Sequence, residues 1–399
     1  MTSLASEAPP LAEPVATAAR GGTVMFVLED LLVGGAQRHS VGLVRALKSR
    51  FRFRVLGLSQ GVSASIASPD LAAEIRVLGL AGMFKPGTWR ALARVLDEER
   101  PDLIVTVNQI ATVAIRAALT LSRVRCPTVV VFHSTDVKNV AGWIRTAPFM
   151  PATWLASALV YISVNQQKIW LGRGLRARRV ELIRNGIEVE RFTPPDAAGR
   201  RAARERLGFA DGDYVIGLSA VFRYEKNHQQ LVEAVAALRA AGVPTRAVLV
   251  GDGPKRPAIE QLVHDLGLGD YVLFAGMQPD VRPYLAAMDV GVICSTSIET
   301  LSLSALECMA SGAPMVMSDI GGASEIIEDG VNGFLFPAGD TPALVDRLTR
   351  CAEPALRERL GLGALRTVRE HFSYEVMTRR YAELFEDLMG KRRPEEERS

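Results

Sequence analysis

Two doubly wound α/β domains, each built on a parallel sheet and facing the other across a central cleft, are what this sequence predicts. Three observations lead there. Short apolar, β-branched runs alternate with longer segments of helical period, the alternation stops once near the middle, and it then begins again. In order, the first half offers strands at 23–29 (TVMFVLE), 52–58 (RFRVLGL), 103–107 (LIVTV), 128–132 (TVVVF), 159–164 (LVYISV) and 180–184 (VELIR). Paired prolines, charge and glycines then break the pattern and read as a linker over 193–212. The second half repeats the alternation with strands at 214–221, 246–251, 271–276, 289–294, 314–318 and 333–336. The expected organisation is a loose tail (1–21), a first domain (22–192), the linker (193–212), a second domain (213–372), a helix able to pack back on the first domain (373–390), and a second loose tail (391–399). Ligands of such folds bind at the carboxyl ends of the strands, so the cleft between the domains is the expected site.

A length of 399 residues suits two or three domains, and 47 basic against 44 acidic residues leave a formal charge of +3. That balance carries no electrostatic footprint for nucleic acid. Cys126, Cys294, Cys308 and Cys351 show no metal-ligand spacing and read as reduced thiols. The N-terminus has neither a basic start nor an apolar core, so no signal peptide is expected. The charge-free run from Thr146 to Gln167 carries two prolines, and its dense apolar core is shorter than the roughly 20 residues of a spanning helix. It reads as a helix followed by a buried strand. Arg173, Arg176, Arg178 and Arg179 cluster in LGRGLRARR, either as a solvated face or as a contact for anionic headgroups or substrates.

The stretch SIETLSLSALECMASGAPMV sets Glu299 and Glu307 eight residues apart among few other charges. Within one helix they would diverge by about 80° and share no clean face. Ser302 suits an N-cap, which leaves Glu299 in a loop and Glu307 in the second turn of the helix. Between them lie the N–H groups of Leu301, Ser302 and Leu303, at a helix N-terminus that can receive phosphate. A simple capped helix and a diphosphate seat flanked by carboxylates for two sets of hydroxyls both fit these residues. In FRYEKNH, Arg223 and Lys226 follow the second domain's first strand and could neutralise a departing diphosphate, with Asn227 placed to cap the next helix. LVGDGP and DIGGASEII read as strand-to-helix turns, and Asp211-Gly212-Asp213 as turn chemistry rather than a metal site. In the first domain Gly34-Gly35 follows the first strand without a dinucleotide spacing, and His133 ends a strand at the cleft.

Taken together, these segments resemble the retaining glycosyltransferases of family 4, of the GT-B fold with two Rossmann-like domains. The likeness runs from about residue 22 to 390 and is carried by the E-x7-E element with its tail to GFLF, by RNGIEVERFTP, FRYEKNH, FAGMQPDV and GGAQ, in the family's order. Two departures stand out. The usual Glu-Gly-Phe-Gly is Glu299-Thr300-Leu301-Ser302, and the usual arginine position is Val221, with Arg223 three residues before the lysine.

The resemblance implies that Glu299 holds donor-sugar hydroxyls and His133 contacts the sugar near its anomeric centre. It further implies that Glu307 takes the ribose, that Arg223, Lys226 and the amides of Leu301, Ser302 and Leu303 take the diphosphate, and that the Gly34-Gly35 loop approaches donor or acceptor. No metal and no resident cofactor are implied. The expected partners are a UDP- or GDP-linked sugar and a glycan or lipid-linked acceptor, in cytoplasmic exopolysaccharide or lipopolysaccharide synthesis, with peripheral contact at the inner membrane. A nucleotide-sugar 2-epimerase and a non-catalytic GT-B partner subunit are the rival readings.

Overall fold

A computed structural model describes residues 21–32, 34–63, 71–80, 85–133, 146–297 and 299–390. The expected loose tails, 1–21 and 391–399, lie outside the described residues apart from Gly21. The first sheet comprises β1 (Thr23–Leu28), β2 (Arg52–Gly57), β3 (Ile75–Val77), β4 (Leu103–Val107), β5 (Thr128–Phe132), β6 (Ala158–Tyr161) and β7 (Arg179–Leu182), in the order β3-β2-β1-β4-β5-β6-β7. The second comprises β8 (Tyr214–Ser219), β9 (Thr245–Val250), β10 (Val272–Gly276), β11 (Val290–Ile293), β12 (Met315–Ser318) and β13 (Gly333–Phe336), in the order β10-β9-β8-β11-β12-β13. Neighbouring strands in both sheets run parallel. β4 and β5 are buried throughout, which is why they read as unbroken apolar runs rather than as alternating ones.

Three details differ from the sequence reading. Predicted strand 159–164 ends at Tyr161, because Ser163 leaves the sheet to accept the Gln166 N–H and cap the helix Val164–Gly172. The short β3 carries too few apolar residues to register as a strand. Within 193–212, Ala197–Leu207 is helical, capped by Asp196 and ended by Gly208 at φ 73°. That helix hides in the sequence because its buried residue is an arginine, with only Ala203 and Leu207 packed partly against the core beside it. Arg204 and Arg200 reach the buried Asp289 at 2.5 and 2.7 Å, and Arg357 and the Val215 N–H add to the same carboxylate at 3.3 and 2.8 Å.

The last helix, Tyr374–Leu388, returns to the first domain. Its Tyr381, Leu384 and Phe385 join Phe26, Phe51 and Val105 in one buried cluster. Ile187 and Phe372 share a backbone hydrogen bond at the crossing. Among the described residues no helix is long and apolar enough to cross a membrane.

Candidate active site in the interdomain cleft

Every segment that carries a candidate residue leaves the carboxyl end of a strand. On the first domain these are the Gly34-Gly35 turn after β1, Asn108 after β4, His133 after β5 and Ser163 after β6. On the second they are Lys226 after β8, Ser295 and Glu299 after β11, and Gly321-Gly322 after β12. Parallel topology converges these ends on the cleft, as the alternation of elements required.

Lys226 and Glu299 meet there. The ammonium stands 2.6 Å from Glu299 Oε2, and the Ser295 hydroxyl donates to the same oxygen at 2.8 Å. Glu299 is 7% exposed, so its charge is sheltered and depends on these two partners. Ser302 caps the helix Leu303–Ala310, its Oγ accepting the Ala305 N–H at 3.3 Å. The N–H groups of Leu301, Ser302 and Leu303 have no acceptor among the described residues. A concentrated donor set thus lies beside a cation. Glu307 sits in the second turn of that helix, and burial pushes its carboxyl up to about 7, against the pull of Arg38 and Arg191. Arg38 belongs to the helix Gly35–Leu47 that begins at the Gly34-Gly35 turn, so that turn and Glu307 face each other across the cleft. A Cβ on Gly35 would meet nothing within 4 Å, so the space beside it is open.

His133 is held by its backbone. Its N–H donates to Asn108 Oδ1 at 2.9 Å, and Asn108 adopts φ 63°, a left-handed conformation strained for a residue with a side chain. His133 Nε2 is buried without a partner among the described residues, and burial pushes the imidazole down to about 4. Beneath it His39 packs edge-on at 5.0 Å between ring centroids, and His39 in turn contacts the Tyr381 hydroxyl at 3.3 Å. Both imidazoles are therefore neutral near pH 7.

Other expected residues fall elsewhere. Arg223 is exposed and lines a cavity of about 570 Å³ with Tyr224, Asn227, Lys255 and Thr296, to which neither Lys226 nor Glu299 contributes. Asn227 occupies the helix-capping position at φ 47°, yet its side chain donates to Gln230 instead of capping. Asp213 accepts the Ala210 N–H at 2.7 Å and faces Arg246 at 3.7 Å, and Asp211 is exposed beside Arg201, so both carboxylates serve the turn before β8. Sequence reasoning passed over Asn108, Ser295, His39 and Glu325. The first two stand at strand ends like the residues it did select, and position there was the available signal.

Residues 33–191 match the family described as Glycosyltransferase Family 4, and residues 213–353 match Glycosyl transferases group 1. Both halves of the chain thus match glycosyltransferase family models, on the GT-B fold. Anabaena HepE, solved in complex with UDP, superposes with a TM-score of 0.80 at 23% identity, covering 92% of this chain and all of that one. EpsD of Bacillus subtilis (strain 168), itself assigned to the glycosyltransferases, is 29% identical over 68% of this chain and 73% of its own length. The lipopolysaccharide core biosynthesis glycosyltransferase LpsD of Rhizobium meliloti (strain 1021) is 35% identical over 54% of this chain and 60% of its own. The match to LpsD thus spans less than two thirds of that relative. Within this glycosyltransferase the two family matches divide at the linker, with His133 and the Gly34-Gly35 turn in one and Lys226, Glu299 and Glu307 in the other.

Proposed function

We propose that this glycosyltransferase moves a hexosyl unit, with retention, from a nucleotide-diphosphate sugar to a glycan or lipid-linked acceptor in cell-surface polysaccharide synthesis. The donor is UDP- or GDP-linked, and transfer needs neither metal nor resident cofactor. The observation that carries this reading is the Lys226–Glu299 pair at 2.6 Å beside the open amides of Leu301, Ser302 and Leu303. A diphosphate entering there draws Lys226 away from Glu299 and takes the amides, while Glu299 exchanges its ammonium partner for sugar hydroxyls. Glu307 accepts hydrogen bonds from the ribose.

As the bond from the anomeric carbon to the diphosphate oxygen breaks, Lys226 and the helix N-terminus stabilise the leaving charge. The acceptor hydroxyl attacks from the same face and passes its proton to the departing phosphate oxygen, so no protein nucleophile is needed. A neutral His133 adds no positive charge beside the cationic sugar that forms, and its unpartnered Nε2 is free to hydrogen-bond the donor. HepE structures with UDP and with UDP-glucose support a UDP-hexose as the first donor to test, and the name of LpsD supports a surface-glycan acceptor.

The setting is cytoplasmic, with peripheral contact at the inner membrane. Trp154, Leu155 and Leu171 are 51%, 56% and 40% exposed near Lys168, Arg173 and Arg176, and no acidic residue occurs between Val137 and Val180. Co-sedimentation with anionic vesicles, lost in Trp154→Ala/Leu155→Ala, tests that contact.

A panel of nucleotide sugars scored by thermal shift tests the donor, since bound ligand raises stability with the logarithm of its concentration over Kd. Conversion of a free nucleotide sugar without acceptor would instead indicate an epimerase. Full biological activity in both Lys226→Ala and Glu307→Ala would indicate a partner subunit.

A further inference from the structure

We propose that Glu325 is an interdomain positioning residue whose carboxylate grips the N-terminus of the helix Val164–Gly172 and thereby couples cleft closure to the placement of Glu299. Glu325 lies on the second domain, in the short helix Ala323–Ile326 after β12. Its Oε2 accepts the Val164 N–H at 2.8 Å and its Oε1 accepts the Asn165 N–H at 2.9 Å, both on the first domain. Ser163 takes the next free amide, that of Gln166, at 3.1 Å. The first three amides of this helix are thus satisfied by a shared cap, two of them from across the cleft. A carboxylate at the positive end of a nine-residue helix is doubly favoured, by charge-assisted hydrogen bonds and by the helix dipole. Arg184 Nε adds a third contact from the first domain at 3.4 Å, and the carboxylate is 10% exposed.

The grip reaches the site through two glycines. Gly322 donates its N–H to the Glu299 carbonyl at 3.0 Å. A Cβ on Gly321 would lie 1.7 Å from that carbonyl oxygen; one on Gly322 would lie 2.0 Å from the Thr300 carbonyl oxygen and 3.6 Å from Ser163 Cβ. The Gly321-Gly322 turn is therefore wedged between the Glu299-Thr300 backbone and the first domain, three residues from the carboxylate that holds that domain. Opening the cleft breaks the Glu325 bonds and frees the turn on which Glu299 rests. Closure both excludes water and sets the sugar-binding carboxylate.

Two variants attack the contact from opposite sides. Glu325→Ala removes the acceptor. Val164→Pro removes one donor while keeping the helix, because proline suits the first helical position and Ser163 is already extended at φ −149°, ψ 153°. Small-angle scattering of the full chain should show both variants more expanded than wild type without ligand, with UDP restoring part of the compaction. Glu325→Gln, which keeps one acceptor, should fall between.

The kinetic arm rests on the glycosyl-transfer reading. Each single variant should lose about tenfold in kcat, keep its Kd for UDP within about threefold, and hydrolyse more donor per transfer. The double variant should lose little more than either single, because both remove one interaction. Unchanged scattering in Glu325→Ala, or multiplicative losses in the double variant, would overturn the proposal. If wild type turns over no nucleotide sugar, the functional reading fails, while the scattering result still decides the clamp.

Discussion

At the scale of single residues, the site's behaviour turns on how its charges are paired. Among the described residues Lys226 is the cation paired with Glu299, so Lys226→Ala should lower turnover by at least about tenfold, near 1.4 kcal/mol in the barrier. Steady-state kinetics with the donor found by thermal shift measures this. Glu307 makes a pH-dependent prediction. Its carboxyl is pushed from 4.5 up to about 7 by burial, so between those values the folded state binds more protons than the unfolded one. Stability therefore falls as pH rises through that window and levels off above it. Glu307→Gln should match wild type near pH 4 and gain up to about 3 kcal/mol over it by pH 8, read by thermal unfolding. A stability difference that does not vary with pH would remove the titration. On the proposed ribose contact the ionised carboxylate is the better acceptor, so nucleotide-sugar affinity should rise up to about tenfold from pH 6 to pH 8 in wild type and stay flat in the glutamine variant. Both glutamates and the lysine were legible as residue types at a spacing. Their pairing was not, because Lys226 and Glu299 lie 73 positions apart and meet only through adjacent strands β8 and β11.

At the scale of elements, caps and buried polar networks decide stability. Ser302 caps the helix that follows the amides of the proposed phosphate seat, and on that proposal Ser302→Ala should cost about 1 kcal/mol and weaken UDP binding together. A loss of stability with unchanged UDP affinity would separate the two. Asp289 joins β8 through the Val215 N–H, the helix Ala197–Leu207 through Arg204 and Arg200, and the helix Pro354–His371 through Arg357. Asp289→Ala leaves those guanidinium groups uncompensated and should destabilise the fold by about 3–5 kcal/mol, measured by denaturant titration. The linker helix escaped the sequence reading for the same reason that this carboxylate matters. Its buried residue is an arginine, and hydrophobic periodicity does not detect a helix that packs through ion pairs. The end of β6 escaped because a serine that caps a helix looks like one more residue of the strand before it.

At the scale of the whole molecule, the Tyr374–Leu388 helix, the Ile187–Phe372 hydrogen bond and Glu325 are among the contacts that tie the two domains together. Phe385 packs on Phe26, Phe51 and Tyr381 at ring separations of 5.8–6.4 Å. Phe385→Ala should cost about 3–5 kcal/mol, and hydrogen exchange should show the loss concentrated in β1 and β2 rather than in β8 to β13. Uniform loss over both sheets would mean that the domains unfold as one unit. The sequence by itself determined the two parallel sheets, the capped helix after Glu299 and the strand-end positions of the Gly34-Gly35 turn, His133 and Lys226, because these follow from local periodicity and turn chemistry. Only the tertiary structure decided which groups meet: Lys226 with Glu299, His39 beneath His133, and Glu325 on the amides of Val164 and Asn165. Such contacts join residues far apart in the chain, and their geometry is set by sheet order and domain packing, which no local pattern encodes.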